Sequence, residues 1–435
     1  MTDPEHTTDV CIVWWGIAGV TTAYMLLMHT DLQVTIIESQ RLAHGATGHN
    51  AGQAAAYFEK PFDEIVQEYW FEQARAGQEA LIAGRELLEE ILLQEELTVP
   101  YEKSTWYVAI SSREELLLHL RRKHLRDAWW MVFDSILLAD TADYEIIPHE
   151  YREYITQVDE KYLHALLQTN DKQYFAAGVS IKWTINSALL CEELALLLHW
   201  RFWKRFSIAE HTLVKMIDYT VWKPTLHVLN NWSVMERTAW DVILCTNWYK
   251  NLTIRSHDTD LNTWFAWSRE WIVGYMIWAF VEPPISSWCI SYFPSVWVDE
   301  IVSATEWSVY YYMTVRHFAG RGLVCLWWPE QELIHLQESL ENHTISRVHH
   351  QSMLSFLQKT WRDCRIQHTD FTWHWLMWYT KSGIREIWVD TKQPHLRYNL
   401  WCNGVGICSS VYGAWKIMKL FQWEIFAPSI FDVRR

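Results

Sequence analysis

The segment Asp9-Val-Cys-Ile-Val-Trp-Trp-Gly-Ile-Ala-Gly19 constrains the fold of this chain more than any other. Val10 to Val13 form the short apolar run of a strand covered on both faces, and Ile17 to Met28 follow as a helix, so a turn must lie between them. A second apolar strand, Gln33 to Ile37, ends on Glu38, 19 residues beyond Gly19. The order is βαβ. In such a unit the pattern G-x-G-x-x-G wraps a dinucleotide pyrophosphate, and an acidic residue about 20 positions on takes the ribose. Glycines would fall at 14, 16 and 19; the chain has Trp14, Gly16 and Gly19. Backbone approach to a phosphate and close helix–strand packing are therefore available, while the tightest turn carries an indole. A βαβ unit that buries an aromatic and binds no nucleotide is the alternative reading of the same residues.

A length of 435 residues argues for two or three domains. The net charge of -15, with no dense basic cluster beyond Arg121-Arg122-Lys123, excludes a phosphate backbone, and so nucleic acid, as the expected partner. Eight cysteines without a C-x-x-C pair indicate neither a zinc site nor a disulfide framework, which fits reduced thiols in the cytoplasm. No H-E-x-x-H occurs, and His349 and His350 read as solvated. Met1 to Thr8 read as a loose polar tail without the features of a signal peptide. Trp271 to Val281, closed by Pro283-Pro284, falls short of the roughly 20 residues that cross a bilayer and reads as a buried strand; no transmembrane segment is expected.

Thirty tryptophans stand against fifteen glycines. Many indoles sit where turn chemistry is expected, as in Thr246-Asn-Trp248, Leu326-Trp-Trp-Pro329 and Leu400-Trp-Cys-Asn-Gly404. Along the chain, Gly45 to Gly52 reads as a loop of small residues. Glu64 to Leu97 reads as one long helix, Trp106 to Ile110 as a strand, Ser112 to Ala128 as a helix and Asn186 to Trp200 as another. Strands are expected at 207–217, 225–229 and 241–245, then at 271–280, 288–293, 308–315 and 322–326. From about Asp370 a loop is expected, followed by Gly404-Val-Gly406 and a final helix at Val411 to Phe421.

Four separated segments, in order, resemble the FAD-dependent oxidoreductases of the D-amino-acid oxidase type, which include glycine-, sarcosine- and dimethylglycine-oxidising enzymes. The resemblance extends over essentially the whole chain. It rests on the N-terminal fingerprint with Glu38, the loop Gly45 to Gly52, the strand around Val214 together with Asp241 to Asn247, and Asn403-Gly-Val-Gly-Ile407 before the last helix. The resemblance implies an α/β fold: an FAD/NAD(P)-binding Rossmann-like domain at 1–61, 170–262 and 366–435, with an interleaved antiparallel-sheet substrate (cap) domain at 62–169 and 263–365. It implies FAD as cofactor and oxidation of the C–N bond of a small-molecule amine or amino acid.

Carried over position by position, the cofactor contacts are Gly16, Ile17, Ala18 and Gly19 at the first turn, and Glu38 and Arg41 after the second strand. Thr47, Gly48, His49, Asn50, Ala51 and Gly52 follow in the loop, then Val214, Thr246, Gly404, Val405, Gly406 and Ile407. His49 aligns with a histidine that is joined covalently to the flavin in some relatives, and equally reads as a plain loop histidine. The last helix would turn its positive end toward the flavin ring. Where the family pattern has glycine, this chain has Trp14, Trp248, Trp327 or Trp328, Trp375, Trp378 and Trp401, and Trp15 fills a small-residue position. Tyr312 and Arg316 are candidate substrate contacts through a charge-assisted pair with a carboxylate, although alternation on a strand also buries such tyrosines in a core. Two other classes compete: a relative that keeps the fold without cofactor or catalysis, and an aromatic-rich carbohydrate binder, which explains exposed indoles but none of the glycine motifs.

Overall fold

The computed structural model describes residues 7–127, 135–142, 144–221, 223–230, 233–246, 252–257, 261, 269–282, 287–294, 310–327, 331–332 and 345–432. The chain divides into two compact units. The first is built from Met1–Tyr101, Thr184–Trp271 and Met377–Arg435, the second from Glu102–Trp183 and Ile272–Leu376.

In the first unit, β1 (Thr7–Val13) leads into α1 (Ile17–His29), β2 (Val34–Ile37), α2 (Phe62–Tyr69) and α3 (Phe71–Gln94). The second segment supplies α4 (Ser187–Arg201), β3 (Phe206–Ala209), β4 (Thr212–Asp218), β5 (Thr225–Asn230), β6 (Ser233–Leu244) and β7 (Thr253–Arg255). The third supplies β8 (Glu386–Val389), β9 (Leu396–Leu400) and α5 (Gly406–Phe421). Five strands run parallel side by side in the order β3, β2, β1, β6, β9. The register aligns Ala209 with Ile37, Ile37 with Val13, Val13 with Leu244, and Leu244 with Tyr398. Val10 to Val13 are buried without alternation, as a central parallel strand requires. Helix α1 is buried along nearly its whole length and packs on α4 and α5. Strands β4, β5 and the first half of β6 add an antiparallel meander.

The second unit carries a mixed sheet. Strands Arg269–Val281, Arg321–Trp327, Tyr311–Phe318 and Trp288–Phe293 run antiparallel in that spatial order, and the last pairs in parallel with Tyr101–Ile110. Tyr311 on this sheet stacks on Phe356 of helix Arg347–Thr360 with ring centroids 3.7 Å apart.

Several expectations are corrected. The helix expected over 64–97 is two helices, because Trp70 takes φ 64 and breaks the hydrogen-bond ladder between them. Helix α3 packs on α5, and residues 62–101 group with the first unit. The strand expected over 207–217 is β3 and β4, separated by a turn in which His211 has φ 52. Where a loop was expected from 370, three strands occur, Phe371–Thr380, β8 and β9, and the last helix begins at Gly406 rather than 411. His349 is not simply solvated; it stacks on Tyr275 at 4.1 Å, and the His350 ring shares a hydrogen bond with the Thr369 hydroxyl.

Candidate functional site

Parallel register decides what the sheet brings together. Glu38 follows β2, Trp14 to Gly16 follow β1, Thr246 lies two residues past β6, and Trp401 to Val405 follow β9. All four therefore leave the sheet at one edge, the carboxyl ends of the strands, where open α/β sheets bind their ligands. Strands β1 and β9 flank β6, so the two glycine-containing turns start about 10 Å apart at the usual strand spacing.

At the first turn the Trp14 backbone has φ 90, the left-handed side that the fingerprint assigns to glycine, so the turn keeps its shape with an indole attached. A Cβ on Gly19 would lie 2.2 Å from the Trp14 carbonyl oxygen, and one on Gly16 would lie 2.7 Å from Thr47 Oγ1. Gly19 is thus required by close approach to backbone, whereas a side chain at Gly16 would have to displace the Thr47 hydroxyl. The Ile17 N–H donates to Thr47 Oγ1 at 3.0 Å, while those of Ala18 and Gly19 have no protein acceptor among the described residues. Glu38 is buried and reaches back to this turn. Its Oε2 accepts from the Trp15 N–H at 2.8 Å, and its Oε1 accepts from the Gln40 N–H at 2.8 Å and the Ser39 hydroxyl at 3.1 Å. Burial raises the Glu38 carboxyl above its ordinary range against the pull of these donors. Trp15 is buried, and its Nε1–H has no acceptor among the described residues.

The loop 45–52 is organised by Asn50. Its amide donates to the carbonyls of Ala46 and Thr47 and to Ser187 Oγ, at 2.7 to 3.0 Å, and its Oδ1 accepts from the Gly52 N–H at 2.6 Å. Ser187, at the start of α4, in turn donates to the Thr47 carbonyl at 2.7 Å. A Cβ on Gly48 would meet the Ala43 carbonyl at 2.4 Å. The His49 ring shares a hydrogen bond with the Gly45 carbonyl at 3.0 Å and meets His44 edge-on at 5.7 Å. Ala51 is buried, and Gly52 has φ 71. Arg41 is exposed. Val214 is buried on β4, two residues beyond Thr212, whose N–H donates to the Glu38 carbonyl at 2.7 Å.

The last loop depends on its glycine. Gly404 has φ 76, and a Cβ there would lie 2.4 Å from Tyr379 Oη. Asn403 Oδ1 accepts from the Thr380 N–H at 2.7 Å, and a Cβ on Gly406 would meet Cys402 Cβ at 2.7 Å. Trp401 has φ 61 and is buried. Trp375 and Trp378 lie within strand Phe371–Thr380 and are buried, Trp327 fills the space left by Gly274, and Trp248 and Trp328 fall outside the described residues. Sequence reasoning missed Ser187, Asn399 and Arg385, which hold these loops; none lies in a recognisable motif.

In the second unit, Tyr312 stacks on Trp327 at 5.6 Å, and the Arg316 guanidinium lies 5.4 Å from the Trp278 ring centroid. Burial pushes the Arg316 pKa down. All eight cysteines are free. No helix among the described residues is long and apolar enough to cross a membrane.

Comparison with known proteins gives the class. Residues 9–262 match the family described as DAO, FAD dependent oxidoreductase. The chain belongs to this family. In fold it is similar to glycine oxidase from Geobacillus kaustophilus, with a TM-score of 0.69 at 13% identity over 99% of each chain. It is likewise similar to L-proline dehydrogenase from P. horikoshii, with a TM-score of 0.69 at 12% identity over 98% of this chain and 96% of that one. Among curated sequences it is 25% identical over 118 residues to gamma-glutamylputrescine oxidoreductase of Escherichia coli, a match spanning 27% of this chain and 28% of that protein.

The residues present fit FAD. Open helix N–H groups suit pyrophosphate oxygens, the carboxylate of Glu38 has an acceptor position left on Oε2 for a ribose hydroxyl, and Gly404 and Gly406 keep the second turn close to the backbone.

Proposed function

We propose that this chain oxidises a C–N bond of a small amine or amino acid with FAD as cofactor. The observation that carries the reading is the parallel register, which sets Glu38, the Gly16 turn, Thr246 and the Gly404 loop at one sheet edge. The names of the structural neighbours, glycine oxidase and L-proline dehydrogenase, supply the substrate class. In this reading the first unit is the FAD-binding domain and the second the substrate domain, with Tyr312 and Arg316 as its candidate contacts. Free cysteines agree with a reducing, cytoplasmic location, and the acidic chain with small molecules rather than nucleic acid as ligands.

The chemistry that FAD supplies when bound is two-electron acceptance from the substrate. The chain's own part is to bind and orient. Ala18 and Gly19 offer N–H groups to an anionic oxygen at the positive end of α1, Glu38 accepts from a sugar hydroxyl, and Asn50 and Ser187 hold the loop around Thr47 in shape. Helix α5 turns its N-terminus to the same sheet edge, where its dipole favours negative charge.

The test is a visible spectrum of the purified protein, an FAD titration, and reduction of an artificial acceptor with a panel of amines and amino acids. Yellow protein that reduces the acceptor with an amine supports the reading. Folded, colourless protein that takes up no FAD favours instead a relative that keeps the fold without the cofactor, with the indoles of Trp14, Trp15 and Trp401 as the first residues to cut back.

A further inference from the structure

Arg385 stands immediately before β8, and its guanidinium is buried. Its Nε–H donates to Asn399 Oδ1 at 2.7 Å, Nη2 to the Asn399 carbonyl at 2.9 Å and Nη1 to the Trp401 carbonyl at 3.3 Å. Three of five N–H groups are thus used, all on neutral acceptors, and no carboxylate among the described residues forms an ion pair with it. Burial pushes the guanidinium down to about 10, and the titratable groups that oppose this are thiols, Cys402 and Cys245.

A buried cation without a counter-ion is costly, so its charge has to be useful elsewhere in the fold. Its surroundings point to where. The Trp401 carbonyl begins the loop that ends in Gly406, the N-terminal residue of α5. Asn399 donates through Nδ2 to the Ser410 carbonyl in α5 at 3.0 Å, and a Cβ on Gly413 of α5 would lie 2.3 Å from Asn399 Oδ1. Arg385 is therefore bonded directly to the strand side of the loop and is linked to the helix side through Asn399. Asn399 meets α5 at Ser410 and Gly413, within two turns of its start, and the Arg385 charge has the same sign as that end of the helix, so the two add toward any negative charge placed there.

We propose that Arg385 is the positioning residue of the 401–406 loop and the fixed positive charge that raises the midpoint potential of flavin held at the N-terminus of α5. The inference rests on the FAD reading above. Adding electrons to a flavin adds negative charge, and a cation nearby favours that state.

The test equilibrates FAD-loaded parent, Arg385→Gln and Arg385→Lys with a reference redox dye and reads the ratio of reduced to oxidised flavin, with FAD affinity measured alongside. Arg385→Gln keeps hydrogen bonding to Asn399 and loses the charge. Its ratio is expected to fall about tenfold, the order expected for one charge acting at close range through protein. Arg385→Lys keeps the charge and is expected to stay close to the parent. An Arg385→Gln protein that binds FAD with the parent's ratio overturns the inference and leaves the FAD reading standing. If Arg385→Gln does not fold, Arg385→Met, which keeps the length of the side chain without its charge, takes its place: a parental ratio overturns the inference and a tenfold fall supports it. A parent that binds no FAD removes both the reading and the inference.

Discussion

Trp14, Trp70, Trp401 and Trp423 share one backbone property, φ of 90, 64, 61 and 65. A residue with a Cβ held in the left-handed region costs about 1–2 kcal/mol, but the four are not equivalent. Trp423 ends α5 in a Schellman arrangement, with its own N–H on the Leu420 carbonyl and that of Glu424 on the Lys419 carbonyl, both at 3.1 Å. It is 90% exposed, so Trp423→Gly loses almost no burial. A gain of about 1 kcal/mol is expected in urea unfolding, the strain relief being partly offset by the freer unfolded chain. Trp401 has the same φ but only 1% exposure. Removing a buried indole costs about 3–5 kcal/mol, more than the strain released, so Trp401→Gly is expected to destabilise in the same assay. Gly404→Ala adds a methyl 2.4 Å from Tyr379 Oη at φ 76 and is expected to destabilise on both counts. The sequence shows tryptophan at glycine positions but not which of those glycines were conformational. Trp14 and Trp401 occupy left-handed turns, whereas Trp375 and Trp378 lie in a strand without positive φ.

At the scale of elements, close helix approach and one buried carboxylate tie the first unit together. A Cβ on Gly84 of α3 would lie 2.3 Å from the Cys408 carbonyl of α5, which is backbone and cannot rotate away. Gly84→Ala is expected to cost about 2 kcal/mol in urea unfolding, as overpacking does. Glu95, just past α3, accepts from Tyr24 of α1 at 2.8 Å and pairs with Arg201 of α4 at 2.6 Å. Burial raises its carboxyl, but the Arg201 and Tyr24 hydrogen bonds outweigh burial and the net shift is downward from 4.5. A depressed carboxyl stabilises the fold above its unfolded value, and that contribution is lost as the pH falls through the folded one. Melting curves of parent and Glu95→Gln are therefore expected to differ most near neutral pH and to converge below about 4.5. Such ties explain what pattern reading saw and missed. Strand β1, α1 and β2 were legible because the apolar runs and the period agree with burial. The α2–α3 break was not, since Glu, Leu, Ala and Gln continue across Trp70 without a stop signal. Strands β8 and β9 are four and five residues long and carry charged or amide side chains, the half-buried Glu386 and Arg397 and the buried Asn399, whose amide oxygen is held by Arg385.

Across the whole molecule, the two glycine turns lie nearly 400 positions apart in sequence, and only the parallel pairing of β1, β6 and β9 makes them neighbours. No local pattern contains that fact; the order of motifs along the chain suggested it, and the register supplies the geometry. Hydrogen exchange reads it directly. The Ala18 and Gly19 N–H groups have no protein acceptor among the described residues, and those of the first turn of α5 leave the same sheet edge. A ligand at 100 times its Kd stabilises the protein by about 2.7 kcal/mol, but this global term slows only amides that exchange through full unfolding. Amides that already exchange locally slow only if the ligand covers them. FAD is therefore expected to protect residues 17–19 and 404–407 together at one concentration midpoint, ahead of any change in the buried β1 amides. Protection confined to 17–19, with 404–407 exchanging as before, would mean that the C-terminal loop takes no part in holding the cofactor. The sheet edge would then bind the adenosine half alone.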